Sequence, residues 1–375
     1  MKKKLSILIY SLSSGGAERV VSVLLHELHE KYEITLFLMN KTIFYNIPKT
    51  LKIIYLENSS PFESGLKKLL KLPILAFRYK KFNDADISLS FMNRPNYIAI
   101  IAKLLGMKSK CIISERAMPS LQHKNGIQGF MNIILIGFLY KKANKIIGNS
   151  IGNSMDLQVN FNIKNVLTIP NPINLNNVTK LSKEYVDYRN EKFTFITIGR
   201  LDYGKNHKVM ISAMKNIDAK LYIIGDGELK DSLKNQIKKS NLQDKVILLG
   251  RQINPYKYLK QADCFLFTSL NEGFPNVLLE ALACNLPIIS TDCKSGPREI
   301  LAPESNIEFQ LKDNIELSEF GILIPINDLL YLQKAMNLMI KDKKLRTTYK
   351  NKSNLRIDDF KTEQIIKQYE EIINA

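Results

Sequence analysis

Residues 263–280 read DCFLFTSLNEGFPNVLLE, an apolar run followed by a loop and the start of a helix. The run from Asp263 to Ser269 has the composition and length of a buried strand. Pro275 lacks an amide hydrogen and its φ is already helical, so we expect it at the first helical position. The free amides after it would point toward the carboxyl end of the strand, where they can bind an anion. The stretch therefore predicts one strand, loop and helix of a parallel sheet.

Two carboxylates bracket this helix start. Glu272 lies in the loop and Glu280 lies over a turn into the helix, at most about 12 Å away at 1.5 Å per residue. A carboxylate accepts hydrogen bonds from vicinal hydroxyls, so the pair can hold a hexose and a ribose while the amides between them hold phosphates. An ordinary pair of helix-capping carboxylates is the alternative.

A basic glycine loop strengthens the first interpretation. The sequence GRLDYGK at 199–205 follows an apolar strand predicted at 193–198. Its two cations, Arg200 and Lys205, can neutralise a diphosphate leaving group. Together the two stretches predict a site for a sugar joined to a diphosphate.

Strands and helices alternate along the whole chain, as in doubly wound α/β proteins. The break at Pro170-Asn171-Pro172 and the length of 375 residues indicate two such domains in tandem. Ligands bind outside the carboxyl ends of parallel strands, so we expect the active site in the cleft between the domains. The predicted strands lie at 5–10, 33–39, 51–56, 86–91, 110–114, 145–148 and 165–169, then at 193–198, 220–225, 246–250, 263–269, 287–291 and 321–326.

Polar and glycine residues follow several predicted strands of the first half. Gly15 and Gly16 would let backbone amides approach a ligand, although a plain tight turn explains the pair about as well. Arg94 and Arg116 are candidates for holding an acceptor diphosphate, with surface salt bridges as the alternative. The other strand-end residues with a predicted acceptor or catalytic contact are Glu18, Arg19, Asn93 and Glu115.

The positive charge is concentrated in the first half. Residues 1–174 hold 24 Lys and Arg against 10 Asp and Glu, a net charge of +14, out of +18 for the chain. No helix-turn-helix, zinc spacing or aromatic RNA-binding motif supports a nucleic-acid partner. Acidic lipid headgroups fit better, and the scattered cysteines are typical of a reduced, cytoplasmic protein.

The segment LKKLLKLPILAFRYKKF at 66–82 is the strongest local candidate for a membrane contact. A solvated helix pair, broken at Pro73 and packed on the core, is the alternative. A second apolar stretch, 130–140, ends in Lys141 and Lys142, is too short to span a bilayer and is predicted to be a buried helix. The predicted membrane-contact cations are Lys67, Lys68, Lys71, Arg78, Lys80 and Lys81.

The acidic pattern at 84–86, Asp-Ala-Asp, superficially matches a metal-binding motif of nucleotide-sugar enzymes. It precedes its strand, however, and so lies at the end of the sheet away from ligands. No His/Cys cluster offers another metal site. We therefore expect no metal and no cofactor, with Arg200 and Lys205 supplying the electrostatic stabilisation instead.

Four motifs give the chain a specific likeness: SGGAER at 14–19, GRLD at 199–202 with Lys205-Asn206, GDG at 225–227, and the two glutamates of 272–280. With these motifs the chain resembles retaining glycosyltransferases of family four, nearly from end to end. The resemblance implies the GT-B fold, two Rossmann-like doubly wound domains that face a cleft. We predict an N-terminal domain at 1–174, a nucleotide-sugar domain at 175–360, and a C-terminal helix at 361–375 that packs back toward the first domain.

The same resemblance implies roles for the site residues. Arg200 and Lys205 would hold the donor diphosphate, Glu280 the ribose, Glu272 a hydroxyl of the donor sugar, and Arg251 would lie beside the uracil. Many relatives have a histidine where this chain has Ser114-Glu115-Arg116, which leaves Glu115 as a substitute catalytic candidate. The remaining predicted donor contacts are Gly15, Gly16, Gly273, Phe274, Pro275 and Asn276.

More particular segments resemble the N-acetylgalactosamine-adding transferases of bacterial N-glycosylation: IYSLSSGGAERVV from Ile9, MNRPNYIA from Met92, NPYKYL from Asn254 and TDCKSGPRE from Thr291. That likeness implies UDP-GalNAc as co-substrate, an undecaprenyl-diphosphate-linked glycan as acceptor, and a peripheral place on the cytoplasmic face of an anionic membrane. An O-antigen or capsule transferase that uses another nucleotide hexose is the alternative. A dinucleotide-dependent oxidoreductase is disfavoured because neither first turn contains G-x-G-x-x-G.

Overall fold

The computed structural model describes residues 2–60, 63–186 and 192–375. The chain divides into two compact units, of which one runs to Pro172 and also takes in Thr362–Ala375, and the other is Ile173–Lys361. The first boundary thus lies at Pro172 where the sequence placed it at residue 174. Each unit is built on its own doubly wound sheet, so the predicted fold class is confirmed.

The first unit has seven parallel strands in the order β3-β2-β1-β4-β5-β6-β7. The direction of winding reverses between the two central strands, the fourth and the first in the chain. Such a reversal leaves a crevice at the carboxyl ends of the two strands. The strands are β1 (Lys4–Ile9), β2 (Glu33–Leu38), β3 (Lys52–Tyr55), β4 (Ile87–Phe91), β5 (Lys110–Glu115), β6 (Lys145–Gly148) and β7 (Val166–Thr168).

Helices cover both faces of this sheet. The third, fourth, sixth and seventh pack together on one face, whereas the first lies on the other face. The helices are α1 (Gly16–Leu28), α2 (Gly65–Leu70), α3 (Leu72–Phe82), α4 (Asn93–Leu104), α5 (Pro119–Gln122), α6 (Gly126–Leu139) and α7 (Ile151–Phe161).

The second unit repeats the plan with the order β10-β9-β8-β11-β12-β14-β13. All pairs are parallel except the short edge pair β13 and β14. The winding reverses between β8 and β11, so the crevice of this unit lies there. The strands are β8 (Thr194–Ile198), β9 (Lys220–Ile224), β10 (Val246–Gly250), β11 (Cys264–Phe267), β12 (Ile288–Thr291), β13 (Glu316–Leu317) and β14 (Ile322–Ile324).

Two apolar clusters enclose the second sheet. One includes side chains of the helices at 175–182, 256–259, 276–283 and 297–301, and the other those at 207–213, 230–239 and 329–341. The helices are α8 (Leu175–Ser182), α9 (His207–Ala213), α10 (Lys230–Lys239), α11 (Tyr256–Leu259), α12 (Asn276–Ala283), α13 (Pro297–Leu301), α14 (Leu329–Lys341) and α15 (Lys343–Ile357).

The last helix, α16 (Thr362–Asn374), belongs to the first unit. Its buried side chains join the cluster that contains α1. Tyr32 also donates a hydrogen bond to Asn374 at 3.3 Å. The end of the chain therefore completes the core of the unit in which the chain begins. The buried side chains are Ile365, Ile366, Tyr369 and Ile373.

The two surface segments compare differently with the sequence predictions. The basic segment forms the helix pair given as the alternative, α2 and α3, but the break lies at Lys71, and Pro73 stands in the first turn of α3, where its missing amide hydrogen costs nothing. The prediction of a buried helix at 130–140 is wrong for one face of α6, which exposes Phe130, Ile134 and Phe138. Within the described ranges, no helix is both long and apolar enough to cross a membrane.

Candidate active site

The glycine loop that follows β8 is held by its own aspartate. Asp202 accepts a hydrogen bond from the Lys205 amide at 3.1 Å, and the Arg200 Nε donates to its carboxylate at 2.5 Å. The Arg200 side chain is nonetheless 77% exposed. The Arg200 guanidinium is therefore exposed to solvent, while the Asp202 carboxylate holds the backbone of the loop at Lys205.

The GDG motif after β9 braces this loop. The Leu201 amide donates to the Asp226 carbonyl at 2.9 Å, and the Gly199 amide donates to the Ile224 carbonyl at 3.0 Å. Gly225 has φ +152°, and a Cβ at this position would overlap the Gly199 carbonyl oxygen. The glycine is required because the two loops approach each other backbone to backbone.

The structure brings the two predicted halves of the donor site together. Lys205 and Glu272 form an ion pair, with 28% and 13% of their side chains exposed. The Leu270 amide donates to the Gly204 carbonyl at 2.8 Å, and Thr268 Oγ1 donates to the Lys205 carbonyl at 3.0 Å. These contacts join the loops after β8 and β11, the two strands that flank the crevice of this sheet.

Pro275 does not occupy the first helical position, contrary to the sequence prediction. Its ψ of 102° is extended, so Pro275 is the residue before the helix, and α12 begins at Asn276. The amides at the start of the helix are therefore those of Asn276 and the residues after it. Glu280 lies within α12 and is 5% exposed, whereas Arg251, directly after β10, is exposed.

A third loop, after β12, is hydrogen-bonded to the loop that contains Glu272 and Gly273. The Glu272 amide donates to the Lys294 carbonyl at 2.8 Å, and the Ser295 amide donates back to the Glu272 carbonyl at 3.1 Å. Ser295 Oγ also donates to the Gly273 carbonyl at 2.7 Å. The backbone of the predicted sugar-binding residues is thus fixed by the segment TDCKSGPRE that the sequence analysis singled out.

A buried ionic cluster holds this third loop in turn. The Arg298 guanidinium, with 5% of its side chain exposed, pairs with Asp292 at 2.7 Å and with Glu316 at 2.8 Å. Asp292 also accepts a hydrogen bond from the Leu311 amide at 2.7 Å. Sequence reasoning missed this cluster, because its members come from three separate elements.

His207 is another residue that the sequence analysis missed. The residue is 2% exposed, and its ring lies against Gly199, below the glycine loop. Burial, followed by the nearby Lys205 charge, lowers the pKa of His207 to about 4. The imidazole is therefore neutral at pH 7 and fills space under the loop without adding to its charge.

In the first unit, the Glu18 side chain lies beside the start of α1. Gly15 is the residue before this helix, and the Glu18 carboxylate folds back against it while accepting a hydrogen bond from Ser13 Oγ at 3.1 Å. This arrangement resembles a capping box, in which a glutamate at the third helical position returns to the cap. The Glu18 carboxylate thus already places an anion beside the Gly15-Gly16 turn. Arg19 follows on the same helix and is half-buried.

Asn93 and Arg94 open α4 directly after β4, at the crevice of the first sheet. The residue before them, Met92, has φ +74°, a strained conformation for a side chain of this size. The Arg94 guanidinium lies 2.7 Å from Glu57, and its Nε and Nη2 have no hydrogen-bond partner in the described parts of the chain. The Asn93 amide nitrogen lies 2.8 Å from the ring of His123, the histidine nearest in sequence to Glu115.

Glu115 is enclosed within the first unit and bonded to its own neighbours. It is 1% exposed, accepts a hydrogen bond from the Tyr140 hydroxyl at 2.6 Å, and accepts another from the Arg116 amide at 2.8 Å. Burial raises the pKa of Glu115 to about 7. The predicted ligand contact is therefore not supported, and we assign Glu115 a structural role inside the first unit.

Arg116 is also engaged within its own unit. Its guanidinium donates to the Asn171 side chain and lies 3.5 Å from the Tyr369 hydroxyl of α16. It also stacks 5.8 Å from the Phe91 ring. Arg116 therefore ties the end of β5 to the C-terminal helix, so the predicted contact with an acceptor diphosphate is not supported.

Three of the six predicted membrane cations, Lys71, Lys80 and Arg78, are held by ion pairs or hydrogen bonds to described residues. Lys71 pairs with Glu57 at 3.5 Å and with Glu63, and Lys80 donates to the Leu105 carbonyl at 2.6 Å. Arg78 is exposed but donates to the Leu56 carbonyl at 3.0 Å. Lys67 and Lys81 are exposed, and Lys68 is half-buried beside the Tyr10 ring.

Both aspartates of the acidic pattern at 84–86 contact Lys4, the first residue of β1. Asp84 pairs with Lys4 at 2.6 Å, and Asp86 accepts a hydrogen bond from the Lys4 amide at 2.9 Å. Across the parts of the chain that the structure describes, no three His, Cys, Asp or Glu side chains are grouped closely enough to hold a metal ion. Arg200 and Lys205 lie on the glycine loop, and Lys205 pairs with Glu272.

We expect Glu115→Gln to fold and to keep its turnover within about threefold, because glutamine can still accept the Arg116 amide. The raised pKa stabilises the fold below pH 4.5, and this contribution of about 3 kcal/mol is lost as the pH rises through 7. The free energy of unfolding should therefore fall between pH 5 and 8 in the wild type more steeply than in the variant. Denaturant titrations across this range measure the difference.

The matched control is Glu27→Gln, which removes an exposed carboxylate from the same unit. Its unfolding free energy should follow the wild-type pH profile. A turnover loss of a hundredfold in Glu115→Gln, with an unchanged pH profile of stability, would restore the catalytic assignment.

Comparisons with known proteins agree with the geometry. A family model described as glycosyl transferases group 1 matches residues 180–356. A Campylobacter jejuni protein named N-acetylgalactosamine-N,N'-diacetylbacillosaminyl-diphospho-undecaprenol 4-alpha-N-acetylgalactosaminyltransferase is 43% identical over 366 residues, 96% of both chains. A second C. jejuni protein, named as an alpha-1,4-N-acetyl-D-galactosaminyltransferase acting on GalNAc-alpha-(1->4)-GalNAc-alpha-(1->3)-diNAcBac-PP-undecaprenol, is 27% identical over 99% of this chain and 98% of its own.

The fold has a solved counterpart. Sucrose-phosphate synthase from Thermosynechococcus elongatus superimposes with a TM-score of 0.83 at 16% identity, covering 100% of this chain and 98% of that one. At this identity the likeness concerns the fold alone.

Proposed function

The chain belongs to the group 1 glycosyl transferases, and on that premise we propose that it transfers N-acetylgalactosamine from UDP-GalNAc to a glycan on undecaprenyl diphosphate, with retention. The observation that supports glycosyl transfer is the ion pair between Lys205 and Glu272, which lies at the crevice between β8 and β11. The names of two relatives that span nearly the whole chain support the sugar and the lipid.

We assign donor binding to the second unit. Arg200 and Lys205 neutralise the diphosphate, Glu272 accepts a hydrogen bond from a hydroxyl of the sugar, and Glu280 accepts one from the ribose. A diphosphate that binds Lys205 competes for the cation that Glu272 holds in this structure. The carboxylate is then released to accept a sugar hydroxyl, so binding the phosphate and binding the sugar are linked.

The proposed transfer is a front-face substitution. The bond between the anomeric carbon and the β-phosphate oxygen breaks, and the acceptor hydroxyl oxygen bonds to the same face of that carbon. The acceptor proton passes to the departing phosphate oxygen, which gives UDP and the lengthened glycan. Two cations at the diphosphate stabilise the charge that develops on it, and we propose that neither metal nor cofactor takes part.

We assign acceptor binding to the first unit, around Asn93 and Arg94. Two buried guanidinium nitrogens of Arg94 lack a hydrogen-bond partner among the described residues, and such groups favour an anionic oxygen. The net charge of +14 over residues 1–174 suits an acceptor at an acidic membrane surface. We therefore propose a peripheral place on the inner face of the cytoplasmic membrane.

A donor panel tests the reaction. The protein is incubated with polyprenyl-diphosphate-linked glycans and with UDP-GalNAc, UDP-GlcNAc, UDP-glucose, UDP-galactose or GDP-mannose, and the lipid-linked product is analysed by mass spectrometry and by NMR of the new anomeric proton. UDP-GalNAc should give the highest kcat/KM and an α-linked product. Turnover with glucose or mannose nucleotides alone would instead favour an O-antigen or capsule transferase.

A further inference from the structure

One face of α6 is an exposed apolar stripe. The spacing of its four members by three, four and four residues places them on a single face of the helix. Single exposed apolar side chains are common on protein surfaces, but a continuous row of four large ones is typical of an interaction site. The members and their exposed fractions are Ile127 82%, Phe130 65%, Ile134 52% and Phe138 63%.

The opposite face of α6 is firmly packed. Ile136 and Leu139 are buried in the core cluster that also contains side chains of α3 and α4. Asn132, on the same inner face, accepts a hydrogen bond from the buried Tyr97 hydroxyl at 3.1 Å. The orientation of the helix is thus fixed, and the exposed stripe is held outward rather than exposed by fraying.

A second stripe runs along α2 and α3, on the same side of the sheet. The side chains that anchor α3, Leu72, Leu75 and Tyr79, lie in the same core cluster as the inner face of α6. The N-terminal ends of the two helical segments meet where Gly65 lies against the Gln128 side chain. The exposed members of the second stripe are Leu66 58%, Leu70 69%, Ile74 59% and Phe77 60%.

The charges beside the α6 stripe are all positive, and those along α2 and α3 are positive apart from Glu57 and Glu63, which Lys71 neutralises. No aspartate or glutamate occurs in residues 64–83 or 116–155, whereas exposed lysines adjoin the stripes at 67, 81, 141 and 142. Apolar side chains among cations, with no unpaired carboxylate on these helices, match an acidic lipid surface, where the lysine stems lie along the acyl chains and the ammonium groups reach the headgroups.

The length of α6 decides how it would meet a bilayer. Its fourteen residues span about 21 Å, less than the hydrocarbon core of about 30 Å, so the helix can lie in the interface but not cross it. Its inner face is also already packed on the sheet.

We propose that α6 is a membrane-docking helix that lays Ile127, Phe130, Ile134 and Phe138 among the acyl chains of an anionic bilayer, beside the α2–α3 stripe. The proposal rests on the proposed lipid-linked acceptor, which places the substrate at such a surface. It extends membrane contact to a helix that the sequence predicted to be buried. Docking through two helices of one sheet face also sets the orientation of the first unit toward the membrane.

The test is the double variant Phe130→Ser/Phe138→Ser, assayed by flotation with vesicles of phosphatidylethanolamine and phosphatidylglycerol. Partitioning should weaken at least about tenfold, or about 1.4 kcal/mol, because two phenyl groups no longer enter the acyl region. The control Ile253→Ser/Leu355→Ser removes side chains that are 95% and 71% exposed in the second unit, and it should partition as the wild type does.

Further readouts separate docking from folding and from catalysis. Thermal unfolding of the double variant should match the wild type, because both side chains are mostly exposed, and turnover on a short-chain, water-soluble acceptor should be unchanged. Lys141→Gln/Lys142→Gln provides a second variant with the stripe intact, and it should weaken partitioning only on anionic vesicles.

Three results would overturn the proposal. They are equal partitioning of Phe130→Ser/Phe138→Ser and the wild type, failure of the wild type to float on any vesicle, and a solution dimer that this variant abolishes without changing partitioning. In the last case the stripe is an interface between two copies. Loss of turnover on the soluble acceptor by the wild type itself would count against the proposed function and not against the docking helix.

Discussion

Replacing Lys205 by alanine should lower kcat with UDP-GalNAc about 100- to 1,000-fold, the usual cost of removing one positioned donor from developing negative charge. Lys205 is the cation that the structure holds against Glu272, and its backbone is fixed by Asp202 and Thr268. A fixed ammonium stabilises the departing diphosphate without reorganising during the reaction. Initial rates with the lipid-linked acceptor, and calorimetric binding of UDP, measure the two parts of this effect.

The control is Lys208→Ala, which removes the same charge from an exposed position three residues later. Its kcat should stay within about twofold of the wild type, because exposed charges are screened by solvent and salt. Lys205→Arg keeps the charge but replaces a compact ammonium by a wider fork, so we expect it to recover only part of the activity. A kcat for Lys205→Ala within threefold of the wild type would remove Lys205 from the proposed machinery.

The ion pair adds a second expectation for the same site. If phosphate and sugar binding are linked through Lys205 and Glu272, the effects of Lys205→Ala and Glu272→Gln on kcat/KM will not add. The double variant should lose less than the product of the two single losses. Additive losses would mean that the two residues act on the donor independently.

The sequence predicted the sheets well because parallel strands buried on both faces are near-continuous apolar runs. The strands at 145–148 and 246–250 were located to the residue, and the other predicted strands within one or two at each end. The exposure of one face of α6 could not be predicted in this way. A helix that is apolar on all sides is normally buried, and only the packing of α3 and α4 on its inner face shows that the described residues leave the other face of α6 exposed.

The donor loops were predictable because glycines, cations and carboxylates sit at fixed offsets after strands. Side-chain direction was not. Glu115 ends β5 as a ligand-facing residue would, yet it turns inward to Tyr140. Glu18 had a readable signal, since a glutamate three residues after Gly15 fits a capping box. Contacts between distant elements, such as those of Arg298, leave no local pattern to find.

Arg298→Met should lower the free energy of unfolding of the second unit by roughly 3–5 kcal/mol, because it leaves the carboxylate of Asp292 buried without its cation. Asp292 is 2% exposed, and a buried charge without a partner is among the costliest defects in a protein. Denaturant unfolding followed by circular dichroism measures the loss. Lys192→Met, which breaks an exposed pair with Asp218 at 2.6 Å, is the control and should cost less than about 1 kcal/mol.

The same variant should also impair transfer under conditions where it remains folded. Arg298 fixes Asp292 at the start of the loop whose Lys294 and Ser295 hold the Glu272 backbone, so a loosened loop moves the proposed sugar-binding carboxylate. Arg298→Met/Asp292→Asn removes the unpaired charge and should recover part of the stability. If kcat/KM stays low in this stabilised double variant, the cluster acts by positioning Glu272. If kcat/KM recovers together with stability, the cluster serves the fold alone.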